Sequence, residues 1–298
     1  MLHTQCPICS GGTLARRFIV DGYTIVKCAA CSFVFVQEKL SDSDLAQIYG
    51  PQDPDSVYDD PANIDNLNFY YLLLKDRIEK RVPAGRILDV GCSEGQFLET
   101  MSGWDCYGTE LARKSYLVAC EKFGSDRVIP ATISDTKFAD QFFDVIALQD
   151  VFDHMPDPLA ALRDCLRLLR PGGLLVIKVH NIACLYARLT GPRFYAIIPP
   201  YHLSYFSPQT LRLALEKTGF EFSAHEFLPH LLFLQTVFLR LASNRKEGVY
   251  HGLYRALSGT RVGRIRIRKN LHDIVTVFAR APMMPAGCDA GRSTRGPL

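Results

Sequence analysis

The sequence predicts a doubly wound α/β sheet of seven strands with a small cysteine-bearing module in front of it. Three observations predict it. Short apolar runs alternate with helical stretches from Gly85 to Ala281; the run at Ile87 breaks into a glycine loop that opens a helix; and Cys6-Pro-Ile-Cys9 is matched in form by Cys28-Ala-Ala-Cys31. A chain of 298 residues, 48% of them apolar, can bury a sizeable core. A formal net charge of +3 offers no global electrostatic reason to expect nucleic acid.

The elements follow in chain order. Each CxxC pair closes a tight turn that aims two thiolates at one point, and the four sulfurs of Cys6, Cys9, Cys28 and Cys31 form a tetrahedral set suited to structural zinc. Between the pairs, Leu14 to Lys27 has strand composition with a turn at Asp21-Gly22, so residues 1–40 read as a zinc ribbon. The six other cysteines are scattered singly, and no charged stretch followed by an apolar one marks a secretory signal, so paired disulfides are not expected and a cytoplasmic location is. Residues 41–84 read as a polar linker, with Tyr49 and Tyr58, and then a helix from Asn66 to Arg81.

Residues 85–281 form the main body. Ile87, Leu88 and Val90 make a strand around Asp89, the loop carries Gly91 and Gly95, and a helix starts at Gln96. Glycine there allows close approach of a ligand to backbone N–H groups at a helix N-terminus. A second strand, Trp104 to Thr109, ends on Glu110, about 20 residues after the first glycine, the spacing at which a carboxylate accepts hydrogen bonds from a ribose. Further on come a helix at Leu111 to Phe123, strands at Val128 to Pro130 and Phe142 to Leu148, and a helix from Leu159 to Leu169 stopped by Pro171-Gly172-Gly173. A strand at Leu174 to Val179, a helix at Gln209 to Thr218, and strands at Phe220 to Phe227 and Asp273 to Arg280 complete the alternation.

ILDVGCSEGQFL, with Glu110 behind it, resembles the DVGCGxG loop of the class I S-adenosylmethionine-dependent methyltransferases, whose sheet is Rossmann-like. A nicotinamide dehydrogenase would require G-x-G-x-x-G, which Gly91 and Gly95 do not supply. Ser93 stands where the family usually has glycine and is tolerated if its φ is negative. The resemblance implies S-adenosylmethionine as cofactor, with Gly91 and Gly95 near its methionine moiety, Glu110 on the ribose hydroxyls, and Leu111 and Ile133 either on the adenine faces or in the core; Asp89 and Gln149 at strand ends and Cys92 in the loop are counted as cofactor-binding with them. Asp135 could reach the adenine amino group or remain a solvated carboxylate.

Two segments carry the acceptor chemistry. QDVFDHMPDP, ending at Pro158, resembles the VLEHVxDP motif of quinone and other small-molecule methyltransferases, with Asp153 in place of glutamate and His154 either lining the substrate site or capping the loop through a backbone bond. PPYHLSYFSP, ending at Pro208, resembles a signature of bacterial methyltransferases with an N-terminal zinc ribbon, some of which methylate sugars. There His202 is the candidate general base, because an imidazole titrates near neutrality. Tyr201 replaces the acidic residue that the sugar C-methylating enzymes carry before this histidine, and their long C-terminal domain is missing from this sequence. His202 is therefore also open to a positioning role, since alignment supplies most of the acceleration in methyl transfer.

The expected function is methyl transfer to oxygen or carbon of a small-molecule acceptor, a sugar or another cell-envelope or natural-product intermediate. Two alternatives stand beside it: an RNA base methyltransferase that grips RNA with its ribbon, and a non-catalytic S-adenosylmethionine-binding protein. Residues 231–270 read as a helical insertion, apolar at first and basic from Arg261 to Lys269, suited to a solvated cap, to peripheral membrane contact or, last, to RNA. Its apolar run is broken by Gln235, Thr236 and Arg240 and cannot span a bilayer. Residues 282–298 have the composition of a disordered tail.

Overall fold

In the computed structural model, residues 1–40, 44, 61–241 and 248–283 are described. The linker at 45–60 with Tyr49 and Tyr58, and nearly all of the expected tail, lie outside them. The cysteine module folds as β1 (Leu14–Val20), β2 (Tyr23–Cys28) and β3 (Val34–Val36). Asp21 and Gly22, at φ 50 and 84, make the tight turn joining β1 to β2, the pair of positive φ angles that a two-residue hairpin loop needs.

The body begins with α1 (Pro61–Glu79), five residues earlier than the Asn66 expected. It continues through β4 (Arg86–Val90), α2 (Gln96–Thr100), β5 (Asp105–Thr109), α3 (Arg113–Phe123), β6 (Val128–Ile129) and β7 (Phe143–Gln149). A single turn at Phe152–His154 leads to α4 (Pro158–Leu168), β8 (Leu169–His180) and α5 (Leu185–Thr190). After a long loop come β9 (Ser204–Tyr205), α6 (Pro208–Lys217) and β10 (Glu221–Glu226). The chain then runs through β11 (His230–Phe233), α7 (Leu234–Leu241), α8 (Val249–Leu257), β12 (Arg266–Lys269) and β13 (Ile274–Arg280).

The large sheet has the expected seven strands, in the order β10-β13-β8-β7-β4-β5-β6. β4 is parallel to both β5 and β7, and the chain reverses its winding direction there, so the carboxyl ends of β4 and β7 flank the crevice where such sheets bind ligands. β13 alone runs antiparallel, between β8 and β10. The helices start where side chains can cap them: Asp157 accepts from the Ala160 amide at 2.9 Å ahead of Pro158, and Ser207 and Thr210 bond reciprocally across the start of α6.

The module is not freestanding. β3 pairs with β9 of the body, Val34 opposite Tyr205 and Phe35 opposite Ser204. Phe206 stands 5.0 Å from Phe33 on one side and 4.9 Å from Phe152 on the other, ring centre to ring centre. One buried cluster accordingly runs from Cys6, Ile8 and Val26 to Leu148 and Ile177 in the central sheet.

The insertion differs from the helical cap expected. It opens with a strand, because His230 to Phe233 pairs antiparallel with Arg266 to Lys269, and its helices α7 and α8 lie between the two strands in sequence. The alternation Arg264-Ile-Arg-Ile-Arg268 has the period of a strand, and charge density masked that period in the sequence. Among the described residues no helix is long and apolar enough to cross a membrane.

Candidate functional site at the carboxyl edge of the sheet

The cysteine module places Cys6 Sγ 3.6 Å from Cys31 Sγ and Cys9 Sγ 3.5 Å from Cys28 Sγ, with all four sulfurs within 4.8 Å of one another. A tetrahedral site with metal–sulfur bonds of about 2.3 Å has sulfurs about 3.8 Å apart, so this donor set fits zinc without rearrangement. The two knuckles are built alike. Each ends on a serine with positive φ, Ser10 at 61 and Ser32 at 65, whose amide returns to the carbonyl of the first cysteine. Gly11 sits against the thiols, where a Cβ would come within 3.2 Å of Cys28 Sγ and 3.3 Å of Cys9 Sγ.

At the end of β4 the loop is tied to itself more tightly than the sequence implied. Gly91 and Cys92 donate their amides to the Thr109 carbonyl, Gly95 donates to Cys92, and Ser93 donates to Glu110 Oε2 at 2.8 Å. The loop therefore offers a ligand close approach rather than a row of free amides. Ser93 has φ 48, which corrects the expectation of a negative angle; the amide bond to Glu110 accompanies this left-handed residue. Glu110 also accepts from the Ala112 amide at 2.7 Å through Oε1, so the carboxylate is held at the lip of the crevice with lone pairs to spare. Gly91 has φ 71, and a Cβ there would meet Val151 at 3.0 Å. Gly95 serves packing: a Cβ there would come within 2.6 Å of the Phe123 ring.

Several expected cofactor contacts separate on their burial. Leu111 is 58% exposed and open to a ligand, whereas Ile133 is built into the core. Cys92 turns its sulfur under β5 against Gly108 and can offer only backbone to the crevice. Asp135 bonds the Thr132 hydroxyl within its own exposed loop. By contrast, Asp89 Oδ1, Gln96 Oε1 and both amide atoms of Gln149 are buried and make no hydrogen bond of full geometry among the described residues, although the Gln149 side chain lies close enough to Asp89 to favour its charged form. Burial pushes the Asp89 carboxyl up to about 8 against the pull of the Gln149 side chain, with the nearby Glu110 adding to the rise. Unsatisfied buried polar atoms on adjacent strand ends are costly unless a ligand meets them, and the zwitterionic methionine moiety of S-adenosylmethionine has the charged donors and acceptors to do so.

On the other side of the same edge, four groups meet. The turn after β7 supplies Asp153 and His154, the end of β8 supplies His180, and the loop before β9 supplies His202. Asp153 is 2% exposed. Its Oδ2 lies 3.4 Å from His180 Nδ1 and 3.8 Å from His202 Nδ1, and its Oδ1 lies 3.8 Å from His154 Nε2. The rings of His154 and His180 stand 4.7 and 5.2 Å from that of His202. Burial would raise the Asp153 carboxyl, but the hydrogen bond from His180 and the surrounding imidazoles hold it down to about 2. Burial lowers His154, and it pushes His202 down to about 4 against the opposing pull of Asp153. His202 donates Nδ1–H to the Ala196 carbonyl at 2.8 Å, so that nitrogen cannot also ligate a metal with Asp153 and His180. The hydroxyl of Tyr205 is buried nearby without a partner among the described residues.

Sequence reasoning singled out His154 and His202, treated Asp153 only as a replacement and passed over His180. A signal for His180 existed: it ends a buried strand on the ligand-binding edge, and it shares a sheet face with Lys178, which is bound to Asp150 at 2.6 Å.

Residues 64–225 match the model of a family described as a methyltransferase domain. The ubiquinone biosynthesis O-methyltransferase of Cereibacter sphaeroides is 37% identical over 102 residues, covering 32% of this chain and 41% of that one. Its counterpart in Vibrio vulnificus is 29% identical over 147 residues, covering 45% of this chain and 62% of the other, so the chain spans less than two thirds of the length of these relatives. Among solved structures, the YcgJ protein of Bacillus subtilis superposes with a TM-score of 0.50 at 16% identity, over 73% of this chain and 100% of that one, a likeness of fold.

Proposed function

Because the chain belongs to the methyltransferase-domain family, we propose that it transfers the methyl group of S-adenosylmethionine to a hydroxyl oxygen of a small molecule. The observation that carries this reading is the juxtaposition at one sheet edge of two unlike sites. One is a glycine loop backed by Glu110 and unsatisfied Asp89 and Gln149; the other is a buried carboxylate ringed by His154, His180 and His202. The first suits a nucleoside with an amino-acid tail, and the second suits a neutral group that must lose a proton.

When bound, the sulfonium supplies an electrophilic methyl group, so the protein's tasks are alignment and proton removal. Glu110 would hold the ribose hydroxyls, Asp89 and Gln149 the methionine moiety, and Leu111 one face of the base. One of the imidazoles accepts the acceptor's proton, and ionised Asp153 stabilises the positive charge that arrives. The names of the curated relatives support oxygen as the acceptor atom. For the acceptor we favour a sugar or another cell-envelope or natural-product intermediate, a choice supported by the PPYHLSYFSP segment and by the cysteine module that packs behind it. The Cys6, Cys9, Cys28 and Cys31 set would hold structural zinc, whose task is to keep β3 in place against β9.

Calorimetric titration of zinc-quantified protein with S-adenosylmethionine and S-adenosylhomocysteine tests the first site. Radiolabelled methyl transfer to nucleotide sugars and to dihydroxybenzoates tests the second. Micromolar binding with transfer to an oxygen is expected; absence of binding by folded, zinc-loaded protein would remove the cofactor site.

A further inference from the structure

The geometry points to His180, oriented by Asp153, as the group that takes the acceptor's proton, with His202 as a neutral wall of the pocket. This rests on the methyltransferase reading and names the base within it.

Three imidazoles touch the acceptor side, and their hydrogen bonds distinguish them. His202 spends Nδ1–H on the Ala196 carbonyl, a fixed dipole that cannot follow a change in the ring's charge. Its ring is buried, which opposes a second proton. His154 meets Asp153 only at 3.8 Å, through Nε2. His180 alone turns Nδ1 to the carboxylate within hydrogen-bond range, at 3.4 Å, which fixes the tautomer with Nε2 as the free base. Such a bond is long in the unliganded protein and shortens when the ring gains a proton.

The setting is that of a base steadied by a buried anion. Asp153 is held ionised, and its backbone is anchored by the Leu203 amide on its carbonyl at 2.9 Å. Tyr195 packs edge-on against the His180 ring at 5.3 Å, and its hydroxyl is tied to Asp273 at 2.6 Å, so the ring is held from its open side as well. The titratable and charged groups facing His180 are therefore Asp153 and His154 from the turn after β7, Asp150 beside them, Lys178 on the same strand, and His202 and Tyr195 from the loop before β9. In the transfer step the acceptor oxygen bonds the methyl carbon as the C–S bond breaks, and the electron pair of that bond stays on sulfur. The hydroxyl proton passes to His180 Nε2, the imidazolium is stabilised by Asp153, and the proton then leaves to water.

The test has two arms on the full, zinc-loaded chain. First, 15N-imidazole NMR reads the tautomers in the wild-type protein, with His180 assigned through His180→Gln or, should that variant not fold, through its contact with the Tyr195 ring. A proton on His180 Nδ1 that is displaced in Asp153→Asn is expected; a proton on Nε2, or no response to Asp153→Asn, overturns the assignment. Second, methyl transfer is measured with 3,4-dihydroxybenzoate as probe. His180→Gln is expected to lower kcat about 10²-fold or more and to abolish the acid limb of the pH profile, with S-adenosylhomocysteine affinity held within about threefold. Asp153→Asn should lower kcat with that limb displaced, Asp153→Glu should recover part of the loss, and His202→Gln should cost less than about tenfold. A larger loss in His202→Gln than in His180→Gln overturns the proposal. Lost cofactor binding by the wild-type protein would instead overturn the methyltransferase reading, and a probe that is not methylated leaves the NMR arm to decide.

Discussion

Val36 donates its backbone N–H to the carbonyl of Leu203 at 2.9 Å, and Leu203 in turn donates to the carbonyl of Asp153 at 2.9 Å. The cysteine module thus lies two hydrogen bonds from the backbone of Asp153, the residue that bears the buried carboxylate of the acceptor side. Stripping the metal from Cys6, Cys9, Cys28 and Cys31 should raise amide exchange at Val36 and Tyr205 by about tenfold or more, because β3 and β9 would lose their fixed pairing. Affinity for S-adenosylhomocysteine should change far less, since the glycine loop is fastened within the body. Exchange measured by mass spectrometry beside a titration separates the two; unchanged exchange at β9 would leave the module uncoupled from the site.

Glu110 holds the loop shut with bonds from the Ser93 and Ala112 amides. Glu110→Ala should weaken cofactor binding by about 1.5–3 kcal/mol, the range for a hydrogen bond to a charged group. Glu110→Gln keeps one acceptor oxygen and should lose less. Calorimetry on both variants checks the order, and equal affinity of Glu110→Ala and wild type would take this residue out of the site.

Asp89 is held up to about 8 by burial, so at pH 7 it carries a proton before any ligand arrives. An ammonium group placed beside it favours the carboxylate. Binding of S-adenosylhomocysteine at pH 7 should therefore release a substantial fraction of one proton, read as a dependence of binding enthalpy on buffer ionisation enthalpy. Asp89→Asn should abolish that dependence.

His202 and His230 are buried as neutral rings, pushed down to about 4 and about 3, while an unfolded imidazole protonates near 6.5. A folded value below the unfolded one means that their contribution is complete above about pH 6.5 and is lost as pH falls toward the folded values. Each should cost about 2 kcal/mol of stability between pH 7 and pH 5. His230 stacks on Tyr70 at 5.0 Å, so His230→Phe keeps the stacking and should remove its share of the pH slope in urea unfolding.

Gly95 combines φ 84 with a Phe123 ring only 2.6 Å from where a Cβ would sit. Gly95→Ala should cost about 2–4 kcal/mol, from left-handed backbone strain together with displacement of α3. Thermal unfolding of this variant beside Gly103→Ala, whose Cβ would meet nothing within 4 Å, isolates the packing part.

Much of the fold was legible because each main strand carries its own apolar run: Ile87 to Val90 and Leu174 to Val179 lie in the strands found, and the run expected from Phe142 to Leu148 lies in β7 from Phe143 on. The two cysteine knuckles were legible for a similar reason, since spacing alone brings Cys6 toward Cys9 and Cys28 toward Cys31. The strand at His230 was not, because its partner lies across two helices and nothing local distinguishes its opening residues from the helix that follows. The left-handed Ser93 was missed because the Glu110 bond to its amide comes from the next strand.

The sequence by itself determined the chain order of the seven strands of the large sheet, the glycine loop with its acidic partner, and the four-sulfur knuckle, because these depend on the character and spacing of residues near one another along the chain. The tertiary structure alone decided that β3 pairs with β9, that Asp153, His180 and His202 converge, and that His180 faces the carboxylate while His202 faces Ala196. Those contacts join residues far apart in sequence, and packing of the sheet and its loops, rather than local preference, sets which ring nitrogen meets which oxygen.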